Sequence, residues 1–147
     1  MPQVKAPKLH FLDSGLVCQL LGIRTPDQLR HHPLRGSIFE SWLVAEIYKA
    51  QADRGAVPRL WHYRDAKRLE VDAIVEMTDV LALAEAKSGA TVGAEGIEPL
   101  RRLAAALRPH REHRRLALRL VYGGDDRLRL GDVMIIPWHD VQRAGWA

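Results

Sequence analysis

The sequence predicts an α/β layer fold with a mixed sheet of about five strands flanked by helices, and three observations carry that expectation. Residues 69–77 (LEVDAIVEM) alternate strictly, the period of a strand with two unlike faces. A two-residue turn, Thr78-Asp79, joins this run to a second apolar stretch at 80–88, so the two read as a hairpin. A helical pattern at about 95–108 then separates the hairpin from two further strands, and a helix crossing between strands marks a layered α/β architecture.

The elements follow in order. Residues 8–12 read as a short strand, and Asp13 or Ser14 caps a helix with Leu16, Val17, Leu20 and Leu21 on its stripe before Gly22 ends it. Pro26, Pro33 and Gly36 make 24–36 a loop with room for one short helix. Ser37 opens a long helix that Gly55 stops, with Phe39, Trp42, Leu43 and Ile47 at the spacing of a buried stripe. Pro58 separates it from a strand at 59–64. After the hairpin comes the helix at about 95–108, in which Pro99 is tolerable only near the first turn. Strands at 115–122 and 132–137 complete the sheet, and Trp146 is expected to pack loosely at the end. The chain divides into an N-terminal extension (1–36), a core (37–141) and a tail (142–147).

Composition narrows the function. With 147 residues the chain is one domain able to bury its own core. No apolar run approaches the roughly 20 residues of a membrane span, and the first residues lack the apolar segment of a secretory signal, so the expectation is a cytoplasmic protein without a membrane partner. A single cysteine, Cys18, excludes an internal disulfide framework. The net charge of +4 is unevenly spread: residues 100–119 hold seven arginines and one glutamate, and the remainder is slightly acidic. Such a stretch is an electrostatic footprint for a polyanion, most naturally nucleic acid with DNA favoured, or else a solvated surface. Arg101, Arg102, Arg108, Arg111, Arg114 and Arg115 are its phosphate-contact candidates, joined by Arg64 near a strand end. Arginine outnumbers lysine seventeen to five, which makes each lysine position worth inspecting.

The hairpin carries the chemistry. A two-residue turn pairs Met77 with Val80, and counting back puts Asp72 opposite Glu85 and Glu70 opposite Lys87, all on one face. Directly opposed side chains have Cβ atoms about 4.5–5.5 Å apart, where two carboxylates repel. A hard divalent ion, Mg²⁺ or Mn²⁺, bridged between Asp72 and Glu85 removes that repulsion. Lys87, two residues beyond Glu85, then stands beside the ion, placed to orient a water or to face developing phosphorane charge.

Asp72 followed by Glu85-Ala86-Lys87 on the next strand resembles the motif of the PD-(D/E)XK nuclease superfamily, whose restriction-endonuclease-like core has the same element order. Many members add a glutamate from the first helix. Glu40 and Glu46 are six residues apart, about 240° around a helix, so both cannot face one metal; Glu40, in the pattern Gly36-x-x-Phe39-Glu40, matches the family's helical acid. The likeness is closer still to the C-terminal domain, domain of unknown function 4143, of prokaryotic AAA-type ATPases. It rests on Asp13-Ser14-Gly15-Leu16, Phe39-Glu40, Glu70-Val71-Asp72 and Glu85-Ala86-Lys87-Ser88 in that order, and covers roughly residues 8–140. It implies metal-assisted phosphodiester hydrolysis, with the metal on Asp72, Glu85 and Glu40 and the Ala86 carbonyl as a further ligand, and Lys87 positioning the water. It also implies an ATPase partner; a second copy of the chain is the other partner expected. The G-x-x-x-x-G-K-[ST] loop of the ATPase is missing, so no ATP site is expected in these 147 residues. The alternative is a non-catalytic module that binds nucleic acid or protein without cutting it.

Overall fold

The computed structural model describes residues 7–110 and 114–147. Two short helices come first, α1 (Ser14–Leu20) and α2 (Pro26–His31). Asp13 caps α1 by accepting the Leu16 N–H at 3.0 Å, and Thr25 with Gln28 closes a capping box on α2. The strand expected over 8–12 does not form: residues 7–13 are an irregular strap whose Leu9, Phe11 and Leu12 side chains are mostly exposed. With no neighbouring strand and no buried face, that short run has nothing to hold it extended.

The long helix α3 (Arg35–Ala52) begins two residues before Ser37 and buries Ile38, Leu43, Ile47 and Ala50. The strands are β1 (Leu60–Arg64), β2 (Glu70–Glu76), β3 (Val80–Lys87), β4 (Arg115–Tyr122), β5 (Leu128–Leu130) and β6 (Val133–Pro137), with α4 (Ala94–Leu107) crossing from β3 to β4. They form one mixed sheet in the order β1-β2-β3-β4-β6-β5, antiparallel from β1 to β3, parallel through β3, β4 and β6, and antiparallel again at β5. The sheet therefore has six strands where about five were expected. The extra one, β5, is three exposed residues at the edge, too short to register as a strand in sequence. Pro99 falls in the second turn of α4, where its missing N–H costs one intrahelical bond. No helix among the described residues is long and apolar enough to cross a membrane.

Helices cover both faces. On one, Ile97, Leu100, Leu103 and Ala104 of α4 meet Leu83, Leu118, Leu120, Val133 and Ile135. On the other, Leu43, Ile47 and Ala50 of α3 meet Ala82, Ala84, Val121 and Ile136. Fully burying a leucine or isoleucine stabilises by about 1.5–3 kcal/mol, so these two layers dominate the fold's stability.

Trp146 is a correction. It is 0% exposed and belongs to the α3-side core. A 3-10 turn over Trp138–Ala144 and Gly145, at φ 71°, turn the chain back so that the indole drops onto the sheet. There its Nε1–H donates to the Val141 carbonyl at 2.7 Å, and the Arg119 guanidinium lies 4.5 Å from its ring centroid.

Candidate active site

The site forms where β2 and β3 part. The β2–β3 register agrees with the two-residue turn: Glu76 pairs with Leu81 and Ala73 with Ala84. The paired ladder stops there, one step short of Asp72 and Glu85. Beyond the last rung the Asp72 Oδ2 accepts the Ala86 N–H at 2.9 Å, so the side chain stands in for the ladder.

The strict alternation of 69–77 is broken at this point. On the β1 side, Trp61 faces Ile74 and Tyr63 faces Val71, which leaves Asp72 and Ala73 together opposite His62. This is a β-bulge, and it flips the pattern: Leu69 and Val71 pack toward α4, whereas Ala73 and Val75 pack toward α3. Glu70, Asp72, Glu85 and Lys87 consequently do not share one face as expected. Ala84 and Ala86 pack toward α3, so Glu85 and Lys87 between and after them project toward α4. Glu70 turns the other way, and its ion pairs are with Lys8 and Arg64, not with the opposed Lys87. Asp72, at the bulge, stands where the two faces meet.

The chain around the site is tightly held. Gly123 donates its N–H to the Lys87 and Gly89 carbonyls, both at 3.0 Å, and any Cβ there would sit 2.4 Å from the Ser88 carbonyl oxygen. The Arg35 guanidinium also donates to the Ser88 carbonyl, which pins the start of α3 to the end of β3. These contacts fix the backbone on which Glu85, Ala86 and Lys87 are presented. Phe39 and Trp42 are half-buried and stack on each other at 5.1 Å, in an apolar cleft beside this loop.

Three acids compete for too little positive charge. The Asp72, Glu85 and Glu40 side chains are 12%, 7% and 16% exposed. Burial, and then the charges of Glu85 and Glu40, push the Asp72 carboxyl up to about 7, against the pull of the Ala86 amide and Lys8. Burial also raises Glu85, although Lys87 Nζ donates to its Oε1 at 2.9 Å. Burial alone would lower Lys87, but its hydrogen bond to Glu85 and the surrounding carboxylates outweigh that and raise it. Glu46 lies elsewhere on α3, paired with Lys49 and Gln142.

Lys8 is the residue that sequence reasoning missed. Its Nζ lies 2.5 Å from Glu40 Oε1, 2.9 Å from Glu70 Oε1 and 3.9 Å from Asp72 Oδ1. Its acids lie far along the chain, so no local pattern announces it. Its rarity as a lysine in an arginine-rich sequence is the one signal that marks it.

The donor set suits a hard ion. All the candidate ligands are oxygens; Glu85 Oε2 is buried with no partner, and Glu40 Oε1 is buried with only the Lys8 ammonium against it. Among the described residues, however, no three His, Cys, Asp or Glu side chains form a ready-made metal cage.

The arginines disperse. Arg101 donates to Asp132 Oδ1 at 2.9 Å and to the Leu130 carbonyl, Arg114 pairs with Glu76 at 2.8 Å, and Arg119 is drawn inward against Trp146. Arg102, Arg108 and Arg115 are exposed, as is Arg64. Arg111 lies outside the described residues, as does His113.

No curated protein matches the chain. The family model described as Domain of unknown function (DUF4143) matches residues 35–141, a span that runs from the first residue of α3 to Val141 and includes Glu40, Asp72, Glu85 and Lys87. With most of its length covered by that match, the chain belongs to the DUF4143 family.

Proposed function

We propose that this chain is a nuclease-like domain of the PD-(D/E)XK type that hydrolyses phosphodiester bonds in nucleic acid, DNA foremost, with Mg²⁺ or Mn²⁺ as its cofactor. The observation that carries this reading is the charge imbalance at the fork: three largely buried acids from α3, β2 and β3, with Glu85 Oε2 buried and unpartnered, beside a lysine on the same strand as the last acid. An arrangement that crowds carboxylates out of water is costly unless a cation joins it.

In this reading Asp72 and Glu85 hold the ion, with Glu40 and the Ala86 carbonyl completing the oxygen set. When bound, the ion would polarise the scissile phosphoryl group and help supply hydroxide near neutral pH. Lys87, steadied by Glu85, orients the attacking water and faces the negative charge that develops on the phosphoryl oxygens. Asp72 is fixed through Oδ2 by the Ala86 amide, and its Oδ1 lies 3.9 Å from Lys8 Nζ. Arg102, Arg108, Arg115 and Arg64 are exposed cations that would meet a phosphate backbone, which would make affinity salt-sensitive and sequence-tolerant. An AAA-type ATPase, fused or separate, is the partner this reading expects.

Lys87→Ala tests it. With DNA and Mg²⁺ or Mn²⁺, the variant is expected to cleave at least about 100-fold more slowly than the wild type, the scale of losing a positioned proton-transfer or water-orienting group. Equal cleavage by both proteins overturns the assignment.

The second reading is a non-catalytic binding module, and one observation favours it: Lys8 already supplies a positive charge to Glu40, Glu70 and Asp72. It predicts DNA binding that is unchanged by Mg²⁺ and by Lys87→Ala.

A further inference from the structure

Lys8 is held in a place that an oxygen-seeking divalent ion would need. Its ammonium touches Glu40 at 2.5 Å and Glu70 at 2.9 Å and stands 3.9 Å from Asp72. Glu40 and Asp72 belong to the proposed metal set, so ammonium and metal draw on the same oxygens. Lys87 reaches only one oxygen of Glu85 and leaves Oε2 open to an ion, whereas Lys8 occupies Glu40 Oε1 directly and sits between Glu40 and Asp72, so it and the ion compete for the same place. One of the two has to leave.

The strap that carries Lys8 is lightly attached. Residues 7–13 belong to no helix or strand, and Leu9, Phe11 and Leu12 are 88%, 50% and 55% exposed. Among the described residues, its other side-chain hydrogen bond to the core is from His10, whose Nδ1 lies 3.2 Å from Ser41 Oγ on α3. A segment with few buried apolar contacts opens at small cost, whereas the fork residues sit on strands and a helix anchored in two cores. Glu70 fits the same picture: it is 37% exposed, stands outside the metal set, and serves as a second anchor for the ammonium.

We infer that Lys8 is an internal countercation that closes the fork, and that divalent metal enters only when the N-terminal strap lifts its ammonium out. This inference rests on the metal reading above. It makes the strap a regulatory element: whatever holds residues 7–13 away from α3 and β2 loads the site, and whatever presses them down empties it.

Two measurements on the full chain decide it. In calorimetric titration with Mn²⁺ alone, Lys8→Met should bind at least tenfold more tightly than the wild type, and Lys8→Arg, which keeps the charge, should stay within about threefold of the wild type. Equal affinity in Lys8→Met and wild type overturns the strap's role while leaving the metal site standing. No binding by any of the three overturns the metal reading and this inference with it. The second measurement uses the unmodified protein and so does not depend on a variant folding. Trypsin cuts after lysine, and the inference expects the Lys8–Leu9 bond to be shielded while the acids hold the ammonium. Saturating Mn²⁺ should accelerate cleavage at that bond several-fold, followed by mass spectrometry. Mn²⁺ that binds without changing the cleavage rate shows that metal and strap coexist, and rejects the inference.

Discussion

The two ends of β2 treat their acids in opposite ways. At the turn end, Glu76 meets Arg59 at 3.2 Å and Arg114 at 2.8 Å, while its backbone N–H donates to the Arg59 carbonyl at 3.1 Å. Gln51 closes that end from α3: its Nε2 donates to the Glu76 and Trp146 carbonyls at 3.3 and 3.0 Å, and its Oε1 accepts the Arg59 N–H at 2.8 Å. At the fork end, four residues back along the strand, Asp72, Glu85 and Glu40 share Lys87 and a borrowed Lys8, with the buried Glu85 Oε2 left over. One strand thus carries a polar network in which every partner is matched and another in which acids outnumber cations. A matched network needs nothing further and is structural; a mismatched one persists because something outside the resting fold completes it.

The matched end should therefore carry stability. Trp146→Ala removes a fully buried indole that also covers Arg119 and donates to the Val141 carbonyl, and is expected to cost about 4 kcal/mol. The shift of the urea midpoint measures it. A loss below about 1 kcal/mol would mean that the tail merely leans on the core, and the contrast between the two ends would weaken.

Gln51→Leu tests the polar half of the same end. The leucine fills the volume but leaves the Arg59 N–H and the Glu76 and Trp146 carbonyls without their partner. Orphaned groups of this kind cost about 1–3 kcal/mol each, and partial exposure at Glu76 lets water answer for some of that, so the expected loss is about 3 kcal/mol. Unchanged stability would show that the network is dispensable. Neither change should alter Mn²⁺ affinity at the fork.

The sequence makes some of this contrast visible. The alternation of 69–77 and the Thr78-Asp79 turn give the hairpin, its register and the nearness of Asp72 to Glu85, because strand period and turn length are local rules. The bulge was hidden, since it depends on how Asp72 and Ala73 share His62 on another strand, and that is a pairing between elements. Lys8 was hidden for a similar reason: an ion pair across 62 residues with Glu70 leaves no trace in periodicity. The arginine-rich segment is legible as charge, but its division into Arg101 on Asp132, Arg114 on Glu76 and exposed Arg102, Arg108 and Arg115 is set by partners contributed from elsewhere. Trp146 misleads because a terminal position suggests fraying, and only the reversal at Gly145 sends it inward.

The mismatched end should respond to pH with the opposite sign from an ordinary salt-bridged acid. In the unfolded chain Asp72 titrates near 3.8, and in the fold it is pushed up to about 7. Between those values the native state holds a proton that the unfolded state has released, so the stability due to this group is full below about 4 and is lost as pH rises through 7. Above that point the fold carries a buried charge against Glu85 and Glu40. Asp72→Asn removes the charge and keeps a side-chain oxygen for the Ala86 N–H, so in metal-free buffer it should stabilise the protein at pH 8 by on the order of 2 kcal/mol. Near pH 4 the gain should vanish, because the native aspartate is then already neutral. Thermal melts of both proteins at the two pH values decide it. Stabilisation that persists unchanged at pH 4 would point to packing in place of charge, and destabilisation at pH 8 would mean that Lys8 and Lys87 balance the acids after all. Saturating Mn²⁺ should reverse the order at pH 8, since the wild-type fork gains an ion that the asparagine variant holds less well, a reversal the matched end of the same strand has no means to produce.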